Sequence, residues 1–258
     1  MKLKTYFKQK TKQTIVFIHG NSSSAKVFDP ILNSDIKYST LSFDLLGHGD
    51  SPRSNNIKDY SILNQNRLSI ELINSIEGDK ILVGNSLGGH IALEIADEIK
   101  KLKGLVIFGT PPVKKPLNLE EAFSPNDASP VFFTENPELQ QIENAFKIAN
   151  KNPKIHDLLV KDFLKSDPKV RVEIVNDASS YIIFKNEYNI FKDLNIPKLI
   201  LQGEFEPLVN LEYISKLAEE SNCDLKIVED CGHYISIEKP IEFERIIKEF
   251  SEKCFNAE

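Results

Sequence analysis

Ser86 stands between Gly84 and Gly88 in the stretch DKILVGNSLGGHIAL (Asp79–Leu93). The short apolar run Ile81–Val83 stops just before it. Ile91, Ala92, Ile95, Ala96 and Ile99 then recur at helical spacing. A chain that turns straight from strand to helix strains the backbone of the residue at the apex and leaves room only for small residues two positions away. This is the G-x-S-x-G nucleophile elbow, which holds a serine hydroxyl clear of a sheet for attack on a carbonyl carbon. The same five residues also describe a serine N-cap behind a glycine turn, and the pentapeptide alone does not separate the two readings.

A serine hydroxyl is a poor nucleophile near neutral pH, so attack requires an imidazole to take its proton and a carboxylate to orient the imidazole. The chain has five histidines. His19 and His48 lie in HG and GHG turns upstream and serve loop structure. His90 is four residues along the elbow's own helix, and His156 reads as a solvated residue on a charged helix. His233, in DCGHYISIEKP, follows the last apolar run and precedes a helix opened near Pro240, and is the expected base. The acid belongs after an intervening strand, in the order Ser, Asp or Glu, His. PKLILQGEFEPLVN supplies Glu204 and Glu206 there. The third position after Gly203 is the usual acid site, which favours Glu206; Glu204 is the alternative, and Asp224 and Asp230 are weaker candidates. Two amide donors complete the set: the N–H of Leu87, which opens the helix, and the N–H of Asn21, behind Gly20 in FIHGNSSSAKVF. Ser22, Ser23 and Ser24 read either as polar pocket lining or, for the last two, as a cap on the helix beginning near Ala25. The histidines form no ligand cluster, so neither a metal nor another cofactor is expected, and Cys231 reads as a buried thiol beside the base.

Six nearly continuous apolar runs must position these residues: Thr14–Gly20, Tyr38–Gly49, Lys80–Ser86, Gly104–Thr110, Pro197–Gly203 and Asp224–Asp230. Such runs suit strands buried on both faces of a parallel sheet. Helical patterns at Ile62–Ile76, His90–Lys101, Leu211–Glu220 and Ile241–Phe250 fall between or after them, which predicts βαβ units and a doubly wound α/β core over residues 1–110 and 196–258. Residues 111–195 break the alternation. They hold eight prolines, helical patches at Leu139–Ala149 and His156–Leu164, and scattered aromatics including Phe123, Phe132, Phe133, Phe146, Phe163, Tyr181, Phe184 and Phe191. An insertion there is expected to fold as a lid over the carboxyl edge of the sheet, where open α/β sheets bind ligands.

The chain has 258 residues, 41% hydrophobic and 27% charged, which is ordinary globular composition. A net charge of −6 argues against nucleic acid as a partner. No apolar run approaches the roughly 18–20 residues of a membrane span, and no signal-peptide pattern opens the chain. Three cysteines without a C-x-x-C pair suit a reducing compartment, so a cytoplasmic protein acting on a small molecule is expected. Oligomeric state leaves no trace in the sequence.

Taken in order, HGN, DLLGHGDS, GNSLGG, GEFEPLV and GHYISIEKP resemble the α/β-hydrolase superfamily over the whole chain apart from the insertion. The resemblance implies the α/β-hydrolase fold, a mostly parallel sheet flanked by helices with a helical lid before the penultimate strand. The N-terminus departs from that pattern: about a dozen residues precede TIVFIHG, so the customary antiparallel edge hairpin is expected to be shortened. HGNSSSAKVFDPIL, NSLGGHIALE, GLVIFGTPPV and the glutamate of GEFEPLV are similar, more closely, to the N-acyl-homoserine lactonases built on that fold. This second resemblance implies Ser86, Glu206 and His233 as a metal-free triad, Asn21 and Leu87 as oxyanion donors, and an ester or lactone as substrate. Three rivals fit the same sequence: a generalist carboxylesterase, a ligand receptor that keeps the fold without turnover, and a C–C bond hydrolase. The last would need a basic residue for a substrate carboxylate, for which only surface-like lid residues such as Arg171 and Lys161 offer themselves.

Overall fold

The computed structural model describes residues 1–180 and 184–256. Seven strands, β1 (Thr5–Lys8), β2 (Gln13–Ile18), β3 (Ser39–Phe43), β4 (Asp79–Asn85), β5 (Leu102–Phe108), β6 (Lys198–Gly203) and β7 (Asp224–Val228), form one sheet in the order β1-β3-β2-β4-β5-β6-β7. All neighbours are parallel except β1, which runs antiparallel to β3 from Thr5 opposite Phe43 to Lys8 opposite Thr40. Each of the six apolar runs overlaps one of the strands β2–β7, with β2, β4 and β5 beginning one or two residues before theirs. β1 carries no comparable run, because an edge strand with no buried residue needs no apolar sequence, and its Lys8 suits an unpaired edge.

The longer helices are α1 (Ile62–Asn74), α2 (Leu87–Ile95), α3 (Leu139–Ala149), α4 (His156–Lys165), α5 (Pro168–Ser179), α6 (Glu187–Asp193), α7 (Leu211–Glu220) and α8 (Pro240–Phe255). Their starts are encoded locally. Glu138 and Gln141 form a reciprocal capping box at α3, and Asp167 caps α5 ahead of Pro168. Asn210 accepts from the N–H groups of Glu212 and Tyr213 at α7. The helix expected over His90–Lys101 begins earlier, at Leu87, and stops at Ile95, because the chain must turn through Lys101 (φ 59°) into β5.

Two apolar layers sandwich the sheet. One gathers Phe17, Phe28, Phe108 and Phe243; the other gathers Ile18, Leu82, Ile91 and Ile107. The first layer continues without a break into Phe132, Phe146 and Phe163 of the 111–195 insertion. Burying each such ring is worth about 1.5–3 kcal/mol, so these aromatics weld the insertion to the core on that side. Phe133 stays exposed, and Tyr181 lies outside the described residues. Three of the insertion's polar contacts join it to segments at the carboxyl edge. Asp167 N–H donates to Gly47 O (2.7 Å), the Tyr60 hydroxyl to Asp167 Oδ2 (2.7 Å), and His233 N–H to Ala149 O (2.8 Å).

Candidate active site

Ser86 follows the last residue of β4 and is the N-cap of α2, with φ 52° and ψ −121°. Its hydroxyl makes no cap hydrogen bond, so the plain N-cap reading of the pentapeptide fails. Left-handed backbone at a non-glycine costs on the order of 1–3 kcal/mol and persists only where its surroundings over-determine it. Here Ser86 N–H donates to Phe108 O (2.9 Å), while Ser86 O accepts from Gly89 N–H (2.8 Å), His90 N–H (3.2 Å) and the Thr110 hydroxyl (2.9 Å). The turn closes only because both flanking residues lack a side chain. A Cβ on Gly84 would lie 2.4 Å from Gly88 O, and one on Gly88 would lie 2.0 Å from Ile18 O.

His233 Nδ1 donates to Glu206 Oε2 at 2.7 Å, with both side chains almost wholly buried, at 3% and 1% exposure. Glu206 is itself held, since its Oε1 accepts from Leu208 N–H (2.9 Å). Glu204 is exposed and turned elsewhere, accepting from Asp230 N–H at 2.8 Å. Asp224 and Asp230 both lie on the surface, and Asp230 pairs with Lys239. The histidine loop is tied to the elbow. Asn85 Nδ2 donates to Phe108 O (3.3 Å) and to His233 O (3.4 Å), and the imidazole packs on Gly109, where a Cβ would fall 2.5 Å from its Cε1. The loop behind β2 meets the same apex, for a Cβ on Gly20 would lie 3.0 Å from Ser86 Cβ. Ser86, the His233–Glu206 pair, Asn21 and Leu87 therefore share one edge of the sheet. Leu87 is the first residue of α2, so its N–H has no intrahelical acceptor.

The other histidines do structural work. His19 Nδ1 donates to Gly20 O (2.8 Å) while its Nε2 accepts from Leu45 N–H (2.9 Å), and His48 bonds to Leu46 O. Burial holds both imidazoles below the usual histidine range. His90 faces Glu187 of α6 at 2.7 Å. His156 is only half-buried rather than solvated, its ring 6.4 Å from that of Phe146. Ser24 caps the turn at Ala25 by accepting from Lys26 N–H and also bonds Asp162. Arg171, expected on the surface, is buried at 4% exposure, and desolvation pushes its guanidinium down to about 10; Lys161 is exposed.

Four supporting residues went unassigned from sequence. Asn85 lies within GNSLGG, and Gly109 and Thr110 within GLVIFGTPPV, but those motifs by themselves assign the three no role. Glu238 sits in IEKP, where it reads as a helix-start charge, yet it is buried and accepts from the N–H groups of Gly232 (3.0 Å), Tyr234 (2.8 Å) and Lys151 (2.7 Å). Among the described residues no group of three or more His, Cys, Asp or Glu is placed to hold a metal ion. A serine, an oriented imidazole and amide donors on one edge can carry out acyl transfer through the hydroxyl.

The pattern that defines the alpha/beta hydrolase fold family matches residues 13–240. The monoacylglycerol lipase ABHD6 of Mus musculus is 23% identical over 266 aligned positions, covering 96% of this chain and 78% of the lipase. Among solved structures, a mutant of the N-acyl homoserine lactonase AidH complexed with N-hexanoyl homoserine lactone superposes with a TM-score of 0.89 at 24% identity, covering 98% of this chain and 95% of the other. An esterase from Exiguobacterium antarcticum superposes with a TM-score of 0.78 at 15% identity, covering 97% and 95%. The sheet order and the strained elbow described above agree with that match, and a family match over residues 13–240 makes this chain a member of the α/β hydrolase fold family and a hydrolase.

Proposed function

We propose that this protein is a metal-independent serine hydrolase that opens the lactone ring of N-acyl-homoserine lactones, and so removes quorum-sensing signals. The observation that carries the reading is the buried 2.7 Å contact between His233 Nδ1 and Glu206, on the same sheet edge as the Ser86 apex. The likeness in fold to a lactonase holding N-hexanoyl homoserine lactone supports the substrate class. Residues 111–195 act as the lid that excludes water and accommodates the acyl chain. Three free cysteines suit a cytoplasmic location, and among the described residues no helix is long and apolar enough to cross a membrane.

In this reading the lactone carbonyl lies between Ser86 and the N–H groups of Asn21 and Leu87. Ser86 Oγ attacks as His233 Nε2 takes its proton, while Glu206 stabilises the imidazolium. The tetrahedral oxyanion is held by the two amides, each worth about 3 kcal/mol to the transition state. The ring C–O bond breaks and the ring oxygen leaves with the proton from His233. Water, deprotonated by His233, then attacks the acyl-serine and releases the N-acyl-homoserine.

A generalist carboxylesterase would use the same residues, and the likeness to the Exiguobacterium esterase favours it as the second reading. Mass spectrometry of a chain-length series of N-acyl-homoserine lactones beside simple esters, for wild type and Ser86→Ala, separates the two. Lactone opening that outpaces ester cleavage and vanishes in Ser86→Ala is the expected result. Ester turnover without lactone turnover would transfer the assignment to the esterase.

A further inference from the structure

Arg171 of α5 is a buried cation with no carboxylate at ion-pair distance among the described residues. Its guanidinium instead spans three acceptors on two segments of chain: Nε donates to Thr134 O (2.8 Å), Nη2 to Glu135 O (2.6 Å) and Nη1 to Ser22 Oγ (3.2 Å). The Phe163 ring supports it from 4.3 Å. The bonds continue. Ser22 Oγ donates to Asn21 Oδ1 (3.3 Å), and Asn21 Nδ2 donates to Phe132 O (2.7 Å). The circuit therefore runs from the 132–135 segment of the insertion through Arg171 and Ser22 to Asn21, and back to Phe132.

The position of Ser22 in this circuit is unusual. Its φ is 53°, left-handed backbone that a non-glycine keeps only when something holds it there. Its hydroxyl accepts from the guanidinium and so turns its own proton toward Asn21 Oδ1. Both constraints act next to the peptide whose N–H belongs to Asn21. A planar guanidinium with donors in a fixed fork can hold three acceptors at once, as a lysine cannot.

We propose that Arg171 is a positioning residue. Through Ser22 it sets the Asn21 peptide in its oxyanion-binding orientation, so the oxyanion hole is complete only when the insertion is docked on the β2 loop. This rests on the role given above to Asn21. Arg171 itself touches no reacting atom; loss of its grip lets the loop relax and moves a donor away from the developing charge.

A fluorophosphonate probe tests this without depending on the identity of the substrate. Ser86 Oγ forms a bond to phosphorus, fluoride leaves, the serine proton passes to His233, and the phosphoryl oxygen must occupy the oxyanion hole. Labelling rates are compared for wild type, Ser86→Ala, Arg171→Met, Arg171→Lys, Ser22→Ala and the Arg171→Met/Ser22→Ala double variant, with melting temperatures alongside. Each single substitution at Arg171 or Ser22 is expected to slow labelling about tenfold or more. Arg171→Lys stays slow, and the double variant is no slower than the slower single, because one residue acts through the other. On a turned-over ester, kcat falls while KM is kept. Wild-type labelling by Ser22→Ala and Arg171→Met, or effects that multiply in the double variant, would overturn the proposal. So would a raised KM with kcat retained, which marks direct contact with substrate. If Arg171→Met does not fold, Ser22→Ala decides, since slow labelling at an unchanged melting temperature supports the proposal and wild-type labelling removes it. A wild type that resists the probe, or a Ser86→Ala that reacts as wild type does, sinks the Ser86 reading itself and this proposal with it.

Discussion

Glu204 and Glu206 stand two residues apart on one turn, yet only one of them meets the imidazole. The turn after β6 sends Glu206 inward, where Leu208 N–H and His233 divide its two oxygens, and sends Glu204 outward to Asp230 N–H. Glu206→Gln keeps the shape of the side chain but removes the charge that stabilises an imidazolium. It is expected to lower kcat roughly a thousandfold with little change in KM. Glu204→Gln, an exposed change, should hold kcat within about twofold of wild type. Steady-state kinetics on whichever ester or lactone is turned over reads both; full activity in Glu206→Gln would move the acid elsewhere.

At the scale of elements, His233 is held by a loop rather than by a helix or strand, and a single carboxylate organises that loop. Glu238 gathers the N–H groups of Gly232 and Tyr234 on either side of the histidine, and that of Lys151 just beyond α3. Backbone N–H groups buried without an acceptor are costly. Glu238→Gln replaces one accepting oxygen with a donor, so it should destabilise the protein by about 2 kcal/mol, read as a lower urea midpoint at unchanged m-value. Because the loop carries the proposed base, kcat should fall in the same variant under conditions where it remains fully folded. A stable variant with wild-type kcat would show that Glu206, Ala149 O, Asn85 and the packing on Gly109 hold His233 without it.

Across the whole molecule, a second histidine–carboxylate pair joins core to insertion. His90 of α2 meets Glu187 of α6, and Glu94, one turn further along α2, accepts from Lys185 N–H at 2.5 Å. Burial, then the charge of Glu187, pushes Glu94 up to about 7 from its ordinary 4.5. Burial alone would lower His90, but the charge and hydrogen bond of the facing Glu187, with the charge of Glu94, together outweigh it and the imidazole is raised. For both groups the folded state holds its proton more tightly than the unfolded chain does. Their contribution to stability is therefore full at low pH and is lost as pH rises, for Glu94 through about 7. Buried His19 and His48 are shifted the other way and make stability grow as pH rises toward 6.5. A difference measurement isolates the junction. Glu94→Gln should match wild type near pH 5 and exceed it at pH 8 by about 1–3 kcal/mol, in parallel urea titrations. A gap that does not change with pH would rule out titration of Glu94 in this range.

Much of the architecture is written along the chain because it depends on local pattern. Strands buried on both faces need unbroken apolar runs, so β2–β7 are legible, while β1 at the open edge is not. The elbow is legible because close approach at Gly84 and Gly88 excludes side chains. His233 stands out because the topology brings the loop after the last strand back to the carboxyl edge. What the sequence leaves open is decided by contacts between residues far apart in it. Which glutamate pairs with His233 depends on the direction of a turn. Glu238 reads as one more helix-start charge until Lys151, 87 residues away, comes to it. Arg171 looks like solvent-facing charge until Ser22, 149 residues away, and the 132–135 segment enclose it. The sequence by itself determined the sheet and the apex serine, since sterics and hydrophobic periodicity act over a few residues. Burial and the pairing of polar groups are properties of the folded surface, and only the tertiary structure decided those.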